Sequence, residues 1–170
     1  MSDDFSKQLN TIINKIKGRT QQASKGIIEE LSLRIVGRTP IDYERNDPNT
    51  VGYARANWIP TEGKMSAEII NELDEDDGPA PVLQPQGRTA QKIKEFIKRG
   101  LDVKKDPRYY LTNNVYYITD LEYGKYSSNG PNTVGGFSRQ APSGMRNITT
   151  AEFEEIANEV VSDVVSKMNE

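Results

Sequence analysis

The residues of this sequence that could do chemistry are carboxylates, amines, hydroxyls and phenols, because it contains neither histidine nor cysteine. Histidine is the commonest general base and zinc ligand, and cysteine supplies thiolate nucleophiles and metal ligands. Their absence removes every Ser-His-Asp type triad and every disulfide scaffold. An enzyme of this composition would depend on carboxylates, lysine, tyrosine or an oxygen-coordinated magnesium ion. We therefore expect a protein that is not an enzyme and that binds no cofactor.

The densest group of carboxylates is Leu-Asp-Glu-Asp-Asp-Gly at residues 73–78. A calcium-binding EF-hand loop needs acids at alternating positions, a glycine at position six and a glutamate at position twelve. Counted from Asp74, Gly78 takes position five, and no matching glutamate follows. We interpret the run as a solvated turn or as an acidic rim that repels DNA, and we predict no metal site.

A glycine-rich stretch at residues 130–136 has the composition of a phosphate-binding loop. Such a loop follows a buried strand and ends in a Lys-Ser or Lys-Thr pair, and this stretch has neither. We interpret it as a flexible loop.

Basic residues and tyrosines are the two groups that could bind nucleic acid. Six basic residues surround a predicted helix: Lys92, Lys94, Lys98, Arg99, Lys104 and Lys105. Six tyrosines follow at positions 109, 110, 116, 117, 123 and 126. A nucleic-acid-binding module that used the basic helix 88–105 and stacked bases on the tyrosines would bind single strands in a salt-dependent way. The acids interspersed among the lysines favour a solvated face, and tyrosines are also common in cores and subunit interfaces. The nucleic-acid reading stays as an alternative.

Length and composition indicate one soluble domain. The chain has 170 residues, 35% hydrophobic residues, a mean hydropathy of -0.72 and a net charge of -3. These values suit a modest core within a single domain, 1–170, with long loops at 43–51, 72–87 and 125–140. No apolar run approaches the roughly 20 residues that span a bilayer, and the acidic N-terminus is unlike a signal peptide. We expect assembly in the cytoplasm and no membrane partner.

Helical periodicity marks the two ends of the chain. Apolar residues recur at helical spacing from Phe5 to Ile16 and again from Ile27 to Val36. They predict one long helix bent between Gly18 and Gly26, or two helices in sequence. Near the other end, Thr149 and Glu152 match a capping box, and Ile148 and Phe153 match a hydrophobic staple. An apolar stripe then continues to Met168 and predicts a C-terminal helix.

Shorter signals lie between these helices. Ala54–Pro60 predicts a strand that pairs with Met65–Ile70, and Asn71 to Gln86 predicts an exposed excursion. Arg88–Lys98 predicts a helix with Thr89 as its N-cap and Gly100 as its end. Tyr109–Leu111 predicts a strand, and Val115–Gly124 a helix that ends at Gly124. The fold class is therefore α+β, with a small, mainly antiparallel sheet packed by a long N-terminal helix and a C-terminal helix.

Five ordered segments carry a more specific pattern. They are Thr39-Pro40-Ile41-Asp42, Gly52-Tyr53-Ala54-Arg55-Ala56-Asn57-Trp58, Tyr110-Leu111-Thr112-Asn113-Asn114-Val115-Tyr116-Tyr117-Ile118, Leu121-Glu122-Tyr123-Gly124 and Gln140-Ala141-Pro142-Ser143-Gly144-Met145. In this order, before a capped helix, they resemble the tail-component or neck-protein family of long-tailed bacteriophages, which includes tail-completion, tail-terminator and head–tail joining proteins. Residues 43–51 are an insertion relative to that family, and the bridge from Gly124 to Gln140 is longer than the family's.

The resemblance implies structural and interface residues and no catalytic ones. They are Trp58, Asn113, Tyr117, Leu121, Glu122, Tyr123, Gly124, Gln140, Ala141, Pro142, Gly144 and Met145. Trp58 on a short strand would anchor a helix, and Asn113 with Asn114 would form a strand-to-helix corner. Glu122 would pair with Arg55 or Arg146.

The resemblance also implies a function in the virion. Subunits would form a closed six-fold or twelve-fold ring at the neck, with a channel through which DNA passes without specific binding. The three long loops would contact a portal-side connector or head-completion protein on one side and the tail tube or tail terminator on the other. A mildly acidic subunit suits a channel in which DNA slides. A magnesium-dependent hydrolase is the weakest alternative, because no paired-acid motif supports it.

Overall fold

The computed structural model describes residues 2–42, 51–74, 76–99, 101–102, 108–127 and 130–167. It has an α+β fold, as predicted. The helices are α1 Ser2–Gly37, α2 Tyr53–Ala56, α3 Arg88–Arg99, α4 Ile118–Tyr123, α5 Arg146–Ala151 and α6 Phe153–Ser166. The strands are β1 Ile59–Glu62, β2 Tyr109–Thr112, β3 Thr133–Val134 and β4 Phe137–Ser138, in two antiparallel pairs.

The first helix is continuous through both glycines that were expected to weaken it. Gly26 faces α6 at close range, since a Cβ on this residue would lie 2.7 Å from Val160 Cγ1. The glycine therefore permits a close helix crossing and does not break the helix. Val160 lies beside Gly26 and Glu152 beside Arg38, so α6 runs antiparallel to α1.

The predicted pairing of Ala54–Pro60 with Met65–Ile70 is wrong. Residues 53–56 form the short helix α2, and β1 pairs with the distant β2, with Ile59 opposite Thr112 and Glu62 opposite Tyr109. Residues 65–70 are irregular. They are held by the Asn57 side chain, whose amide donates to Ile70 O at 3.0 Å and accepts from Ile70 N at 2.8 Å. A side chain thus replaces the strand partner that alternation alone had suggested.

The long loop predicted at 125–140 contains a hairpin over residues 133–138, so the flexible-loop interpretation of the glycine-rich stretch at 130–136 is wrong for residues 133–136. Strands β3 and β4 flank Gly135 and Gly136, whose φ angles are 56° and 88°. Two central residues with positive φ give the turn a twist that matches the flanking strands, and glycine reaches these angles without strain.

Residues 72–87, predicted as an exposed loop, include several buried positions, and the acidic run is not a solvated turn. Asp74 is buried, and its carboxylate accepts a hydrogen bond from Thr89 N at 2.7 Å. Asp74 thus caps α3, whereas the predicted cap Thr89 lies inside the helix. Asp77 accepts from the backbone N–H groups of Gln86 and Gly87. Glu75 and Gly100 lie outside the described residues, as do residues 43–50 of the first predicted loop.

The predicted capping box before the last helix is also wrong. Thr149 lies inside α5, and its hydroxyl donates to Met145 O at 2.8 Å. Glu152 separates α5 from α6 and makes no side-chain cap. Phe153, the predicted staple partner, is about half exposed, and Met168 lies outside the described residues. Both predicted capping residues instead bind Arg38, which directly follows α1.

The core consists of two clusters that Trp58 joins. The first packs Leu33 and Val36 of α1 against Ala90, Ile93 and Ile97 of α3, with Leu101. The second contains Ala54, Leu121, Ala141 and Met145. Trp58 is half-buried and contacts both clusters, so it anchors helices as predicted, although it precedes β1 instead of lying on a strand.

Across the described residues, no helix is both long enough and apolar enough to cross a lipid bilayer.

Candidate functional site

Four segments that carry the family resemblance meet in one place. We call residues 39–42, 52–58, 113–124 and 140–145 the motif cluster. The second hydrophobic core lies inside it, and hydrogen bonds between segments far apart in sequence surround that core. The predicted site residues Leu121, Ala141 and Met145 are buried there, whereas Pro142 is exposed.

Thr39 connects the first two segments of the motif cluster. Its hydroxyl accepts from Trp58 Nε1 at 2.7 Å and donates to Ile35 O at 2.9 Å. Its carbonyl accepts from Arg55, whose Nε and NH2 groups lie at 3.3 and 2.9 Å. Arg55 has 0% exposure and also donates to Gly78 O at 2.8 Å. A fully buried guanidinium therefore ties the end of α1 to the acidic loop.

Gln140 joins the first segment to the last. Its Oε1 accepts from Ile41 N at 3.0 Å and from Ala80 N at 2.9 Å, and its Nε2 donates to Ile41 O at 2.6 Å. The side-chain amide thus pairs with the backbone of Ile41 as a neighbouring strand would. This use requires both a donor and an acceptor on one side chain.

Glu122 caps the start of α5. Its Oε2 accepts from Met145 N and Arg146 N, both at 2.9 Å, and its Oε1 accepts from Asn147 N at 2.8 Å. The predicted pairing with Arg146 is present at 3.9 Å, whereas Arg55 directs its hydrogen bonds to Thr39 and Gly78. Gly144, with φ of 76°, allows the close approach, because a Cβ there would lie 2.5 Å from Glu122 O. The carboxylate is therefore occupied by backbone donors at a helix N-terminus.

The two asparagines form the predicted strand-to-helix corner. Asn113 donates to Ala54 O at 2.7 Å and accepts from Val115 N at 3.1 Å. Asn114 donates to the carbonyls of Ser66 and Glu68 at 3.0 and 2.9 Å. Further along, Gly124 ends α4 in the left-handed conformation, as predicted, and packs against the Phe137 ring.

These contacts define what the motif cluster can do. The side chains of Arg55, Glu122 and Gln140 bind backbone groups of other segments, and the Thr39 hydroxyl accepts from the Trp58 indole, so all four side chains stabilise the fold. Among the described residues, no group of acids is arranged to hold a metal ion. The motif cluster is a scaffold whose outer surface is available for binding.

No family model, curated protein or solved structure matches the chain. Its function is inferred from its own residues.

A cavity of about 490 Å³ opens on the outer side of the motif cluster. Tyrosines and two carboxylates surround it: Tyr53, Tyr116, Tyr117, Tyr126, Asp42 and Asp120. Tyr116 is 88% exposed and meets the Tyr117 ring edge to face, with centroids 5.1 Å apart. Exposed aromatic side chains beside a concave surface are typical of protein interfaces.

The remaining tyrosines divide between core and surface. Tyr109 packs against Phe96 and shares a hydrogen bond with Ser32 at 3.0 Å. Burial raises the pKa of the Tyr109 phenol from 10.0 to about 12. Tyr123 lies at the surface, with the cations of Lys125 and Arg146 about 6 Å from its ring centre. The predicted core role is confirmed for Tyr109, and the interface role of the exposed tyrosines stays a prediction.

Several basic residues on α3 contact neighbouring side chains. Lys92 pairs with Glu72, and Arg99 lies 3.5 Å from Glu95. Lys94 donates to Gln86 Oε1 at 3.1 Å. Lys104 and Lys105 lie outside the described residues. The described part of this patch is therefore a mixed surface of cations and acids.

An ionic network between α1 and α6 was missed at the level of sequence. Arg38 donates to both oxygens of Glu152, at 2.7 and 2.8 Å, and to Thr149 Oγ1 at 2.7 Å. Arg34 adds bonds to Glu152 at 3.0 Å and to Glu159 at 3.1 Å. The hydrogen bonds from Arg38 lower the pKa of Glu152. In the sequence, the i, i+4 spacing of the two arginines is the pattern that indicates this network, but the spacing of Thr149 and Glu152 equally fits a capping box.

Proposed function

We propose that this chain is a structural virion protein of a tailed bacteriophage. Its copies form a ring, six-fold or twelve-fold, at the head–tail junction, where the ring joins or terminates the tail and leaves a channel for DNA. The observation that carries the proposal is the convergence of the resembling segments. Residues as distant as Ile41 and Gln140, or Trp58 and Thr39, bind each other directly. The pattern that suggested the family is thus the pattern that holds this fold together.

The contacts of these residues favour a mechanical function. Glu122, Arg55 and Gln140 are the polar groups that an enzyme would place around a substrate, and here they bind backbone groups. What the motif cluster offers to partners is its outer side, with the tyrosine-lined cavity beside it. The partners that we propose are copies of the same chain, a portal-side connector or head-completion protein, and the tail tube or tail terminator. DNA would pass through the ring without specific binding.

The decisive experiment is electron microscopy of lysates from a phage in which this gene is disrupted. We expect filled heads with separate tails if the ring joins the two, or tails of abnormal length if it terminates the tail. Expression of the intact chain from a plasmid should restore joined, infectious particles. Normal particles from the disrupted phage would sink the proposal.

The nucleic-acid-binding alternative makes the opposite prediction for the purified chain. If α3 and the tyrosines bound single strands, Lys98→Glu with Arg99→Glu would weaken a salt-dependent affinity. The acids beside Lys92 and Arg99 reduce the positive potential on which such binding depends. A ring subunit binds single strands weakly, and the double substitution leaves that binding unchanged.

A further inference from the structure

The N-terminal part of α1 extends beyond the rest of the described structure. Helix α6 runs antiparallel to α1 and ends at Ser166, six residues past Val160, which brings its end level with about Thr20 of α1. All described side chains between residues 7 and 18 are exposed. We call residues 7–18 the free segment. At 1.5 Å per residue it is about 18 Å long.

The free segment is not polar on all sides. Ile12 and Ile16 are each 55% exposed and Ile13 is 38% exposed, and they share one side of the helix. Single exposed apolar residues are common, but three adjacent isoleucines on an uncovered helix form a contact surface. An uncovered helix of this length is also marginal in water without packing.

Helix α6 carries a second uncovered apolar surface. Val161 and Val165 are 44% and 51% exposed and lie four residues apart on one side of the helix, in line with Glu154, whereas the half-exposed Phe153 lies in line with Val160 on the side that faces α1. The side of α6 that packs on α1 carries Val160 and the fully buried Ile156. We call Val161 and Val165, with Glu154 on the same side, the outer face of α6.

The charges of the two surfaces are complementary. Between residues 5 and 28 the chain has five basic residues and no acid: Lys7, Lys15, Lys17, Arg19 and Lys25. Helix α6 has four acids and no basic residue: Glu154, Glu155, Glu159 and Asp163. Within the described residues, Arg34 already pairs with Glu159 of α6 and with Glu152, which precedes α6. Two apolar surfaces, one flanked by basic residues and the other by acids, are suited to bind each other.

We propose that the free segment of one copy packs against the outer face of α6 of the next copy, in a head-to-tail contact. A symmetric contact between two free segments would place lysines against lysines, which the charges disfavour. A head-to-tail contact repeats from copy to copy and closes into a ring if the rotation allows. That ring closure rests on the proposed function, whereas the pairwise contact does not.

The test uses two variants of the full chain that each remove one surface. Ile12→Gln with Ile16→Gln alters the free segment, and Val161→Gln with Val165→Gln alters the outer face. Glutamine is a good helix former and adds no charge, so both helices should persist. By sedimentation velocity, the unaltered chain should associate and each variant alone should be monomeric. An equimolar mixture of the two variants should give 1:1 dimers and nothing larger, because it contains one intact pair of surfaces.

A contact between two free segments would give another result, because the outer-face variant would still associate alone, and that outcome overturns the proposal. If the unaltered chain stays monomeric, cross-linking decides, since the chain has no cysteine of its own. Ile16→Cys mixed with Val161→Cys should oxidise to a heterodimer several-fold more efficiently than Ile16→Cys mixed with Met65→Cys, a control at another exposed position. Equal yields, or a monomer whose free segment binds single-stranded DNA, would also overturn it.

The outcome is separate from that of the phage experiment. Dimers from mixed variants together with normal particles from the disrupted phage would keep the contact and remove the proposed function. If the disrupted phage shows a joining defect but the mixed variants form no dimer, the proposed function stands and the proposed contact is removed.

Discussion

The motif cluster and the free segment of α1 use polar residues in opposite ways. In the motif cluster, Arg55 is fully buried and Glu122 and Gln140 nearly or partly so, and each binds backbone groups of another segment. In the free segment, every described side chain faces solvent, and Lys15 and Lys17 form no ion pair within the described residues.

This difference separates two contributions to function. Substitutions in the motif cluster should destabilise the folded chain, because they remove partners from buried groups. Substitutions in the free segment should leave folding nearly unchanged and act on association.

Arg55→Met should have the largest effect. It removes hydrogen bonds to Thr39 O and Gly78 O from a fully buried position and leaves those carbonyls without their donor. We expect the free energy of unfolding to fall by about 3–5 kcal/mol, measured by urea denaturation. Arg88→Met is the matched control, because Arg88 is exposed and lies 3.4 Å from Asp76, and it should change stability by under about 0.5 kcal/mol. Equal effects at the two arginines would remove the distinction between the regions.

Glu152→Gln should be next, because it breaks the network that joins α6 to α1. We expect the free energy of unfolding to fall by about 1–3 kcal/mol at neutral pH. This loss is smaller than that expected for a fully buried ion pair, because Glu152 is partly exposed. Its folded-state pKa is lowered by the hydrogen bonds from Arg38, so its contribution is present above the unfolded pKa of about 4.3 and is lost as pH falls through the lower folded value. The stability of the intact chain should therefore decline more steeply in acid than that of the variant. Glu95→Gln, which removes an exposed acid of α3 paired with Arg99, is the matched control and should change the free energy of unfolding at neutral pH by less than about 0.5 kcal/mol.

Whether the sequence predicts a structural feature depends on whether local or long-range contacts form that feature. The α+β class, α1, α4 and β2 followed from local periodicity, and Gly124 from the need for a left-handed helix end. The β1–β2 pairing joins Ile59 to Thr112, 53 residues apart, and no local pattern specifies that partner. Thr149 and Glu152 had the right local spacing for a cap but found stronger partners in the guanidinium of Arg38. Hydrogen bonds to a charged group are stronger than those between neutral groups, which favours Arg38 over the backbone donors of a local cap here.

Tyr109→Phe should have a small effect at neutral pH and a larger one in base. Loss of the hydrogen bond to Ser32 should lower stability by about 0.5–1 kcal/mol. Burial raises the phenol pKa from 10.0 to about 12, so the unfolded chain loses this proton first. The intact chain should therefore lose stability as pH rises from about 10 to 12, and the variant should lack that part of the decline. Denaturation curves at several alkaline pH values measure the difference, and identical slopes would mean that Tyr109 is more exposed than the structure shows.

Ile12→Gln with Ile16→Gln should have the smallest effect on folding and so defines the other end of the comparison. Both isoleucines are more than half exposed, and the apolar area that they bury in the single chain is small. Under dilute conditions in which the chain is monomeric, we expect the free energy of unfolding to change by less than about 0.5 kcal/mol. Circular dichroism should retain the helical signal, because glutamine has a higher helix propensity than isoleucine. A loss above about 2 kcal/mol would show that the free segment packs on its own chain, and its isoleucines would then belong to the core and not to an association surface.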